Sequence, residues 1–239
     1  MNKQLITIAL VTLAAEVFAV PGTLTTTNGN TIQGEITYSR RGKVYEVQNK
    51  KVRQEIPVAD VAKLDIKKPA GLKDDATPAA LQKIVEEYYM LQWDKPATKA
   101  LAFAYINAGQ ASKALDACQK VINEDKSAAF KGEIAPAYWM ALMKVGKTER
   151  LEACLNKAAS SGDRGASAAA LIMRGDMIVD AGGDKPDALK QALRDGYLRV
   201  ALMYADCPAE KREALNKAAA CFDKMGQASR AEKLRQQAQ

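Results

Sequence analysis

Apolar and polar residues alternate along five short segments near the beginning of the chain. Ile32, Ile36 and Tyr38, for example, alternate with polar residues, a pattern that is typical of a strand with one buried face. The tripeptide Asn28-Gly29-Asn30 favours a hairpin turn between the first two segments, because Asn and Gly tolerate the positive φ that such turns require. The predicted strands are residues 22–27, 31–38, 43–49, 51–56 and 61–66, with one helical turn at 57–60.

The pattern changes after residue 77, where apolar residues recur at the three- and four-residue spacing of amphipathic helices. Residues 69–77 are predicted to form a linker, at the end of which Thr77 can cap a helix that begins at Pro78. Pro136 indicates a separate turn or a kink inside one of the helical segments. The predicted helices are residues 78–93, 96–108, 111–123, 127–145, 148–160, 165–181, 186–205, 209–225 and 228–238.

One spacing recurs within the helices: a large apolar residue is followed four positions later by Gly. The glycines of this pattern are Gly109, Gly146, Gly182 and Gly226, which are separated by 37, 36 and 44 residues. A recurring period of this size is typical of stacked helix pairs, each too small to bury its own apolar face. Such an array offers a binding surface rather than a reaction.

The repeats resemble the tetratricopeptide family over residues 95 to 239. Leu101-Ala102-(x2)-Tyr105-(x3)-Gly109-(x4)-Ala114 has the family's order of large, small, aromatic, turn and second-helix residues. The later copies keep parts of this order, with Trp139 where a small residue is usual. The resemblance implies a concave groove, lined by the first helix of each pair, that binds a peptide. The groove positions that it implies are Lys99, Phe103, Asn107, Met140, Lys144, Asp176 and Asp180. The alternative is that Phe103 and Met140 belong to the core and that the lysines are simply solvated.

The predicted strands resemble a small SH3-like or Sm-like barrel over about 45 residues, on the evidence of Asn28-Gly29, of the segment Thr31-Ile32-Gln33-Gly34-Glu35-Ile36 and of Ile56-Pro57. Members of those groups bind peptides or RNA. Nucleic acid is not the expected partner here, because the chain carries the features of an exported protein. A barrel this small has little core of its own, so we expect it to pack on the helices or on a partner.

The first nineteen residues have the features of a secretory signal. Lys3 gives a positive start, an apolar stretch follows, and Val17-Phe18-Ala19 forms a small-x-small cleavage site. The apolar run is shorter than the roughly 20 residues needed to span a bilayer, so we expect cleavage and a mature chain without a transmembrane segment. The sequence thus predicts a periplasmic or envelope-associated protein. The predicted domains are residues 1–19 (signal), 20–68 (barrel), 69–77 (linker) and 78–239 (helical repeats).

The side-chain chemistry argues against an enzyme. The chain contains no His, which removes Ser-His-acid and Cys-His catalysis together with the commonest metal ligand. Asp176, Asp180, Asp184 and Asp187 could offer oxygens to a hard cation, but their spacing is not that of a calcium-binding loop. No catalytic residue, metal site or cofactor is therefore predicted. The net charge of +7 could favour an acidic partner or an anionic envelope surface, but ordinary solvated surface charge is the interpretation that we favour.

Aromatic residues and cysteines each allow two interpretations. Tyr88, Tyr89 and Trp93 could form a ligand platform, or the joint with the preceding module, which we favour. Cys118 and Cys154 lie 36 residues apart, close to the repeat period, and could form a disulfide or be small buried apolar groups.

The sequence as a whole predicts an α+β protein, mainly α, with a small N-terminal β-barrel followed by a tetratricopeptide-like helical solenoid. The function that we predict is an exported, non-enzymatic scaffold that binds a protein or peptide segment in the helical-repeat groove. One alternative is an envelope carbohydrate-binding or hydrolytic protein with a site between the two modules. A further alternative is an assembly component whose solenoid packs on itself.

Overall fold

The computed structural model describes residues 18–50, 52–73 and 75–239, so all but Phe18 and Ala19 of the predicted signal lies outside the described residues. The fold is mixed α+β and mainly helical, as predicted. The described residues divide into two compact units: unit 1 contains those up to Lys68 together with Glu86–Trp93, and unit 2 contains those of 69–85 together with Asp94–Gln239. Within the described residues, no helix has both the length and the apolar character needed to cross a membrane.

Unit 1 is built on one antiparallel sheet, and its strands lie within two residues of the predicted ones. Gly29 adopts a φ of +88° in the turn between the first two strands, as the Asn-Gly signal predicts. The order of the strands is β4-β3-β2-β1-β5. Closure of this sheet into a barrel stays a prediction. The strands are β1 (Val20–Thr26), β2 (Thr31–Ser39), β3 (Val44–Asn49), β4 (Val52–Pro57) and β5 (Val61–Ile66), with a 3₁₀ turn at Val58–Asp60.

The segment Glu86–Trp93 completes unit 1. The indole Nε1 of Trp93 donates to the carbonyl oxygen of Ile66 at 2.7 Å, and the Ile66 amide donates to Oε1 of Gln92 at 2.8 Å. The hydroxyl of Tyr45 donates to the carbonyl oxygen of Met90 at 2.9 Å. Tyr88 and Trp93 also pack against the buried core of the sheet. The aromatic cluster of the sequence therefore joins this segment to the sheet, the interpretation that we favoured.

Unit 2 consists of helices joined by short turns. The predicted helix 78–93 ends at Glu87, residues 127–145 contain a 3₁₀ turn (Lys126–Ala129) before a separate helix, and residues 186–205 are interrupted by a π-helix (Leu193–Tyr197). The α-helices are α1 (Pro78–Glu87), α2 (Asp94–Asn107), α3 (Ala111–Glu124), α4 (Ala135–Lys144), α5 (Thr148–Ala159), α6 (Arg164–Gly182), α7 (Pro186–Ala192), α8 (Leu198–Met203), α9 (Pro208–Lys224) and α10 (Ala228–Gln237).

Three helices end in the same hydrogen-bonded turn. The amides of Gln110, Lys147 and Gln227 donate to the carbonyl oxygens of Tyr105, Leu142 and Phe222 at 2.8 to 2.9 Å. The glycine before each of these amides has a φ between +71° and +75°, the left-handed geometry of a Schellman turn. The next helix begins directly afterwards in each case. The third predicted copy differs, because Gly183 rather than Gly182 adopts the positive φ.

All four cysteines are free thiols. Cys118 is completely buried, and burial raises the pKa of its thiol to about 12. Cys154 is partly exposed, and burial raises the pKa of its thiol as well. In this structure Cys118 therefore serves as a small apolar group in the helical core.

We predict that Gly109→Ala lowers the free energy of unfolding by about 1–2 kcal/mol, because a Cβ disfavours the left-handed conformation. No atom lies within 4 Å of the position of the added Cβ, so the loss would come from the backbone conformation rather than from a clash. Urea unfolding followed by circular dichroism measures the change. Gly109→Asn is the matched control and should lose less, since Asn tolerates this conformation. Equal stability of the Ala variant and the wild type would contradict the prediction.

We also predict that Cys118 resists alkylation by iodoacetamide at pH 8 in the folded protein, because its thiol is buried and protonated. Cys154 should react faster, and both cysteines should react fully in urea. Peptide mass spectrometry of the labelled protein separates the two sites. Equal labelling rates in the folded protein would show that Cys118 is accessible.

Candidate functional site

The residues implied by the repeat resemblance lie on three helices that pack side by side, with α4 in contact with both α2 and α6. The structure therefore brings the three groups of predicted residues onto neighbouring helices. Lys99, Phe103 and Asn107 lie on α2, Met140 and Lys144 on α4, and Asp176 and Asp180 on α6.

Several of these side chains already have partners within unit 2. Phe103 and Met140 are partly buried and pack against the main helical core. The ammonium of Lys144 donates to Oδ1 of Asp180 at 2.5 Å, which joins α4 to α6 and neutralises both charges. Lys99 and Asn107 are exposed. A ligand on this face would meet two exposed polar side chains and an internal ion pair.

Asp176 is the centre of a polar network that joins three elements. Its carboxylate accepts a hydrogen bond from the Tyr197 hydroxyl at 2.7 Å and from Lys217 Nζ at 2.8 and 2.7 Å. Burial, followed by the nearby charge of Asp176, raises the pKa of the Tyr197 hydroxyl, so this group stays a hydrogen-bond donor. The network connects α6, the π-helix and α9.

The remaining acids of the sequence cluster also face cations. Asp184 accepts from Lys224 Nζ at 2.7 Å, and Asp187 lies 3.5 Å from Lys190 Nζ. In the part of the chain that the structure describes, no group of three or more His, Cys, Asp or Glu side chains could hold a metal ion. The ion pairs account for the carboxylates that the sequence placed close together.

We predict that Lys217→Met lowers the free energy of unfolding by about 1–3 kcal/mol, because it leaves the Asp176 carboxylate largely buried with Tyr197 as its remaining partner. The Lys217 side chain is 30% exposed, so solvent reduces the loss below that of a fully buried pair. Urea unfolding measures it. In a double-mutant cycle, the same Lys217→Met change in an Asp176→Asn background should cost less. Equal losses in both backgrounds would show that the two residues are not coupled.

A second surface of unit 2 is a groove of about 630 Å³, which the sequence analysis missed. We call it the α8 groove. Leu202 and Met203 are 82% and 55% exposed, respectively, and because both line the groove they form one exposed apolar patch rather than two scattered residues. The apolar side chains that line the groove are Leu193, Leu198, Leu202, Met203, Phe222 and Met225.

The charged side chains that line the α8 groove are all basic. They are Lys190, Arg194, Arg199 and Arg230. The guanidinium of Arg194 forms two hydrogen bonds with Asp195, at 2.8 and 3.0 Å. These bonds, with a smaller contribution from Arg199, lower the pKa of the Asp195 carboxyl. The partners of Arg230 are the side-chain oxygen of Gln227 at 2.8 Å and the Phe222 ring, both uncharged. The rim of the groove is therefore positively charged.

The sequence contains a signal for this groove. Residues 186–205 carry apolar residues on two faces: Leu189, Leu193 and Val200 are buried, whereas Leu202 projects into solvent. A helix with a second apolar face next to basic residues is typical of a helix that binds a partner. The tetratricopeptide resemblance instead implies recognition by the first helix of each pair, and it therefore does not point to this segment.

Unit 1 contains a cleft of about 730 Å³ along β2 and β3. Its lining contains acidic and basic side chains together, and several of them are engaged with one another. Arg53 forms an ion pair with Glu46 at 2.6 Å, and the guanidinium of Arg40 stacks on the Tyr89 ring at 3.9 Å. Because its charges are mixed and paired, this cleft favours no particular class of ligand.

Comparisons of the chain with protein-family models, with characterised proteins and with solved structures find no match.

Proposed function

We propose that this protein is an exported, non-enzymatic interaction protein whose helical unit binds a segment of a partner protein. The exposure of Leu202 and Met203 in the α8 groove carries the proposal. Large apolar side chains that project from a concave surface are typical of protein-binding sites. The groove offers apolar contacts and guanidinium groups, which suit binding of a protein segment better than bond-breaking chemistry.

The repeated helix ends support a tetratricopeptide-like solenoid as the scaffold of this groove. Gly109, Gly146 and Gly226 form equivalent turns, and each turn reverses the chain into a helix that packs on the one before it. Such arrays present extended surfaces for recognition. We propose that unit 1 is an SH3-like or Sm-like small barrel that accompanies this scaffold.

The face implied by the family resemblance is the second candidate surface. Lys99, Phe103 and Met140 would contact a partner there, but Lys144 and Asp180 would have to exchange their ion pair for new contacts. The α8 groove also contains ion pairs, at Lys190 and Arg194, but its apolar Leu202 and Met203 are exposed, whereas Phe103 and Met140 are partly buried in the helical core. It is therefore the surface that we favour.

A site-specific cross-linking experiment tests the proposed function. A photoreactive amino acid replaces Leu202 in the full chain, in the native host, and the cross-linked products are identified by mass spectrometry. We expect one reproducible protein partner at Leu202. The same probe at Lys120, an exposed residue of α3, serves as the control and should not capture that partner.

A probe at Phe103 compares the two surfaces in the same experiment. Capture of the partner at Phe103 but not at Leu202 would move the binding surface to the face of α2, α4 and α6. Capture of a second copy of the chain alone would indicate self-assembly. The absence of any specific protein product at either position would contradict the interaction function.

A further inference from the structure

We infer that the ligand of the α8 groove is an acidic segment of a partner protein that carries apolar side chains at helical spacing. This inference rests on the proposed function and specifies the chemistry of its partner. Its observations are the apolar floor of the groove, the exposed Leu202 and the basic rim.

The volume of the groove indicates how much of a ligand it could hold. A concavity of about 630 Å³ lies within the range that protein pockets use for small ligands, and it accommodates a few side chains rather than a folded domain. Leu198 and Leu202 are one helical turn apart on α8, with Phe222 and Met225 of α9 and its turn also in the lining. A segment with apolar residues three or four positions apart could place them along this line.

The charges of the rim set the polarity of the ligand. Lys190 and Arg194 have nearby acidic partners, Asp187 and Asp195, which offset part of their charge. The partners of Arg230 are neutral. Carboxylates of a bound segment could contact Arg199 and Arg230 without breaking a bidentate ion pair within the protein. Electrostatic complementarity therefore favours Asp and Glu in the ligand and disfavours Lys and Arg.

An anionic membrane is the other acidic surface that basic and apolar residues can recognise. The shape of the site argues against it. A bilayer is flat and would contact the most exposed residue, Leu202, more readily than the partly buried Phe222 and Met225, which also line the groove. A protein segment can fill the concavity, and it is therefore the ligand that the structure favours.

Fluorescence anisotropy with defined peptides tests the inference on the full mature chain. The probe is a labelled peptide of about four helical turns, in which Leu and Phe recur every three or four residues among Glu residues. Two matched peptides replace Glu by Lys, or Leu and Phe by Ser. We expect saturable binding of the first peptide alone, weakened by added salt because the contacts are partly electrostatic.

Variants locate the binding site. Leu202→Asp, and separately the pair Arg199→Glu and Arg230→Glu, should each weaken binding of the acidic peptide by about tenfold or more. The pair Lys120→Glu and Lys147→Glu makes the same change of charge on exposed residues of unit 2 outside the groove and should leave affinity within about twofold. All the substituted side chains are exposed, and urea unfolding verifies that each variant is folded.

The outcomes separate this inference from the proposed function. Binding of the Lys peptide, or equal affinity of the groove and control variants, would overturn the inference about partner chemistry. Tighter binding to phosphatidylglycerol vesicles than to the acidic peptide would assign the surface to membranes instead. If the partner cross-links through Leu202 while the acidic peptide does not bind, the proposed function stands and the acidic ligand is wrong. Failure of both experiments would overturn both proposals.

Discussion

The close contact between Gly175 and Gly196 is the constraint on which the carboxyl-terminal part of unit 2 depends. A Cβ on Gly196 would lie 2.9 Å from the Cα of Gly175, and a Cβ on Gly175 would lie 2.6 Å from the Tyr197 ring. Two glycines are therefore required for α6 and the π-helix to approach this closely. The approach brings the Tyr197 hydroxyl to Asp176, where Lys217 of α9 completes the network.

The π-helix connects this buried contact to the exposed groove. A π turn holds one residue more than an α turn, so it rotates the following residues by about 100° relative to an uninterrupted helix. Leu189 before the π-helix, Leu193 at its start and Val200 after it are buried, while Leu202 is exposed. The face that α8 presents to solvent is thus set by an irregularity that Gly196 and Tyr197 hold in place. The π-helix therefore positions both the polar network around Asp176 and the exposed apolar face of α8.

Much of this fold could be predicted from the sequence, because its signals are local. Asn28-Gly29 marks a turn, and Gly109, Gly146 and Gly226 mark helix ends, each through the conformation of a single residue. The π-helix could not be predicted, since residues 186–205 carry apolar residues on two faces and this pattern does not show where one extra residue shifts the phase of the helix. The contact of Trp93 with Ile66 joins segments 27 residues apart and depends on packing that no local pattern encodes.

For the candidate sites, too, local patterns could be predicted from the sequence, whereas contacts between distant residues could not. The repeat resemblance implies Lys144 and Asp180 as neighbouring groove positions, but their pairing across 36 residues depends on how α4 packs against α6. In the sequence, Leu202 lies on a second apolar face of residues 186–205, beside basic residues. The structure shows that the other apolar face is buried and that the face of Leu202 is exposed. Periodicity predicts which helix is amphipathic. It does not by itself tell which of two apolar faces belongs to the core.

The distribution of ion pairs explains why recognition would favour the α8 groove. Asp176 and Asp180 of α6 and Asp184 of the turn that follows it each accept a hydrogen bond from a lysine on another helix, so their charges already join elements of unit 2. A ligand that used these carboxylates would have to displace a lysine, and losing the existing bond would offset the new one. Arg230 contacts neutral groups and can gain an acidic partner without that loss. A new ion pair with a partner is therefore most favourable at Arg230, on the rim of the groove. Arg230 lies beside the exposed apolar side chains that the partner would cover.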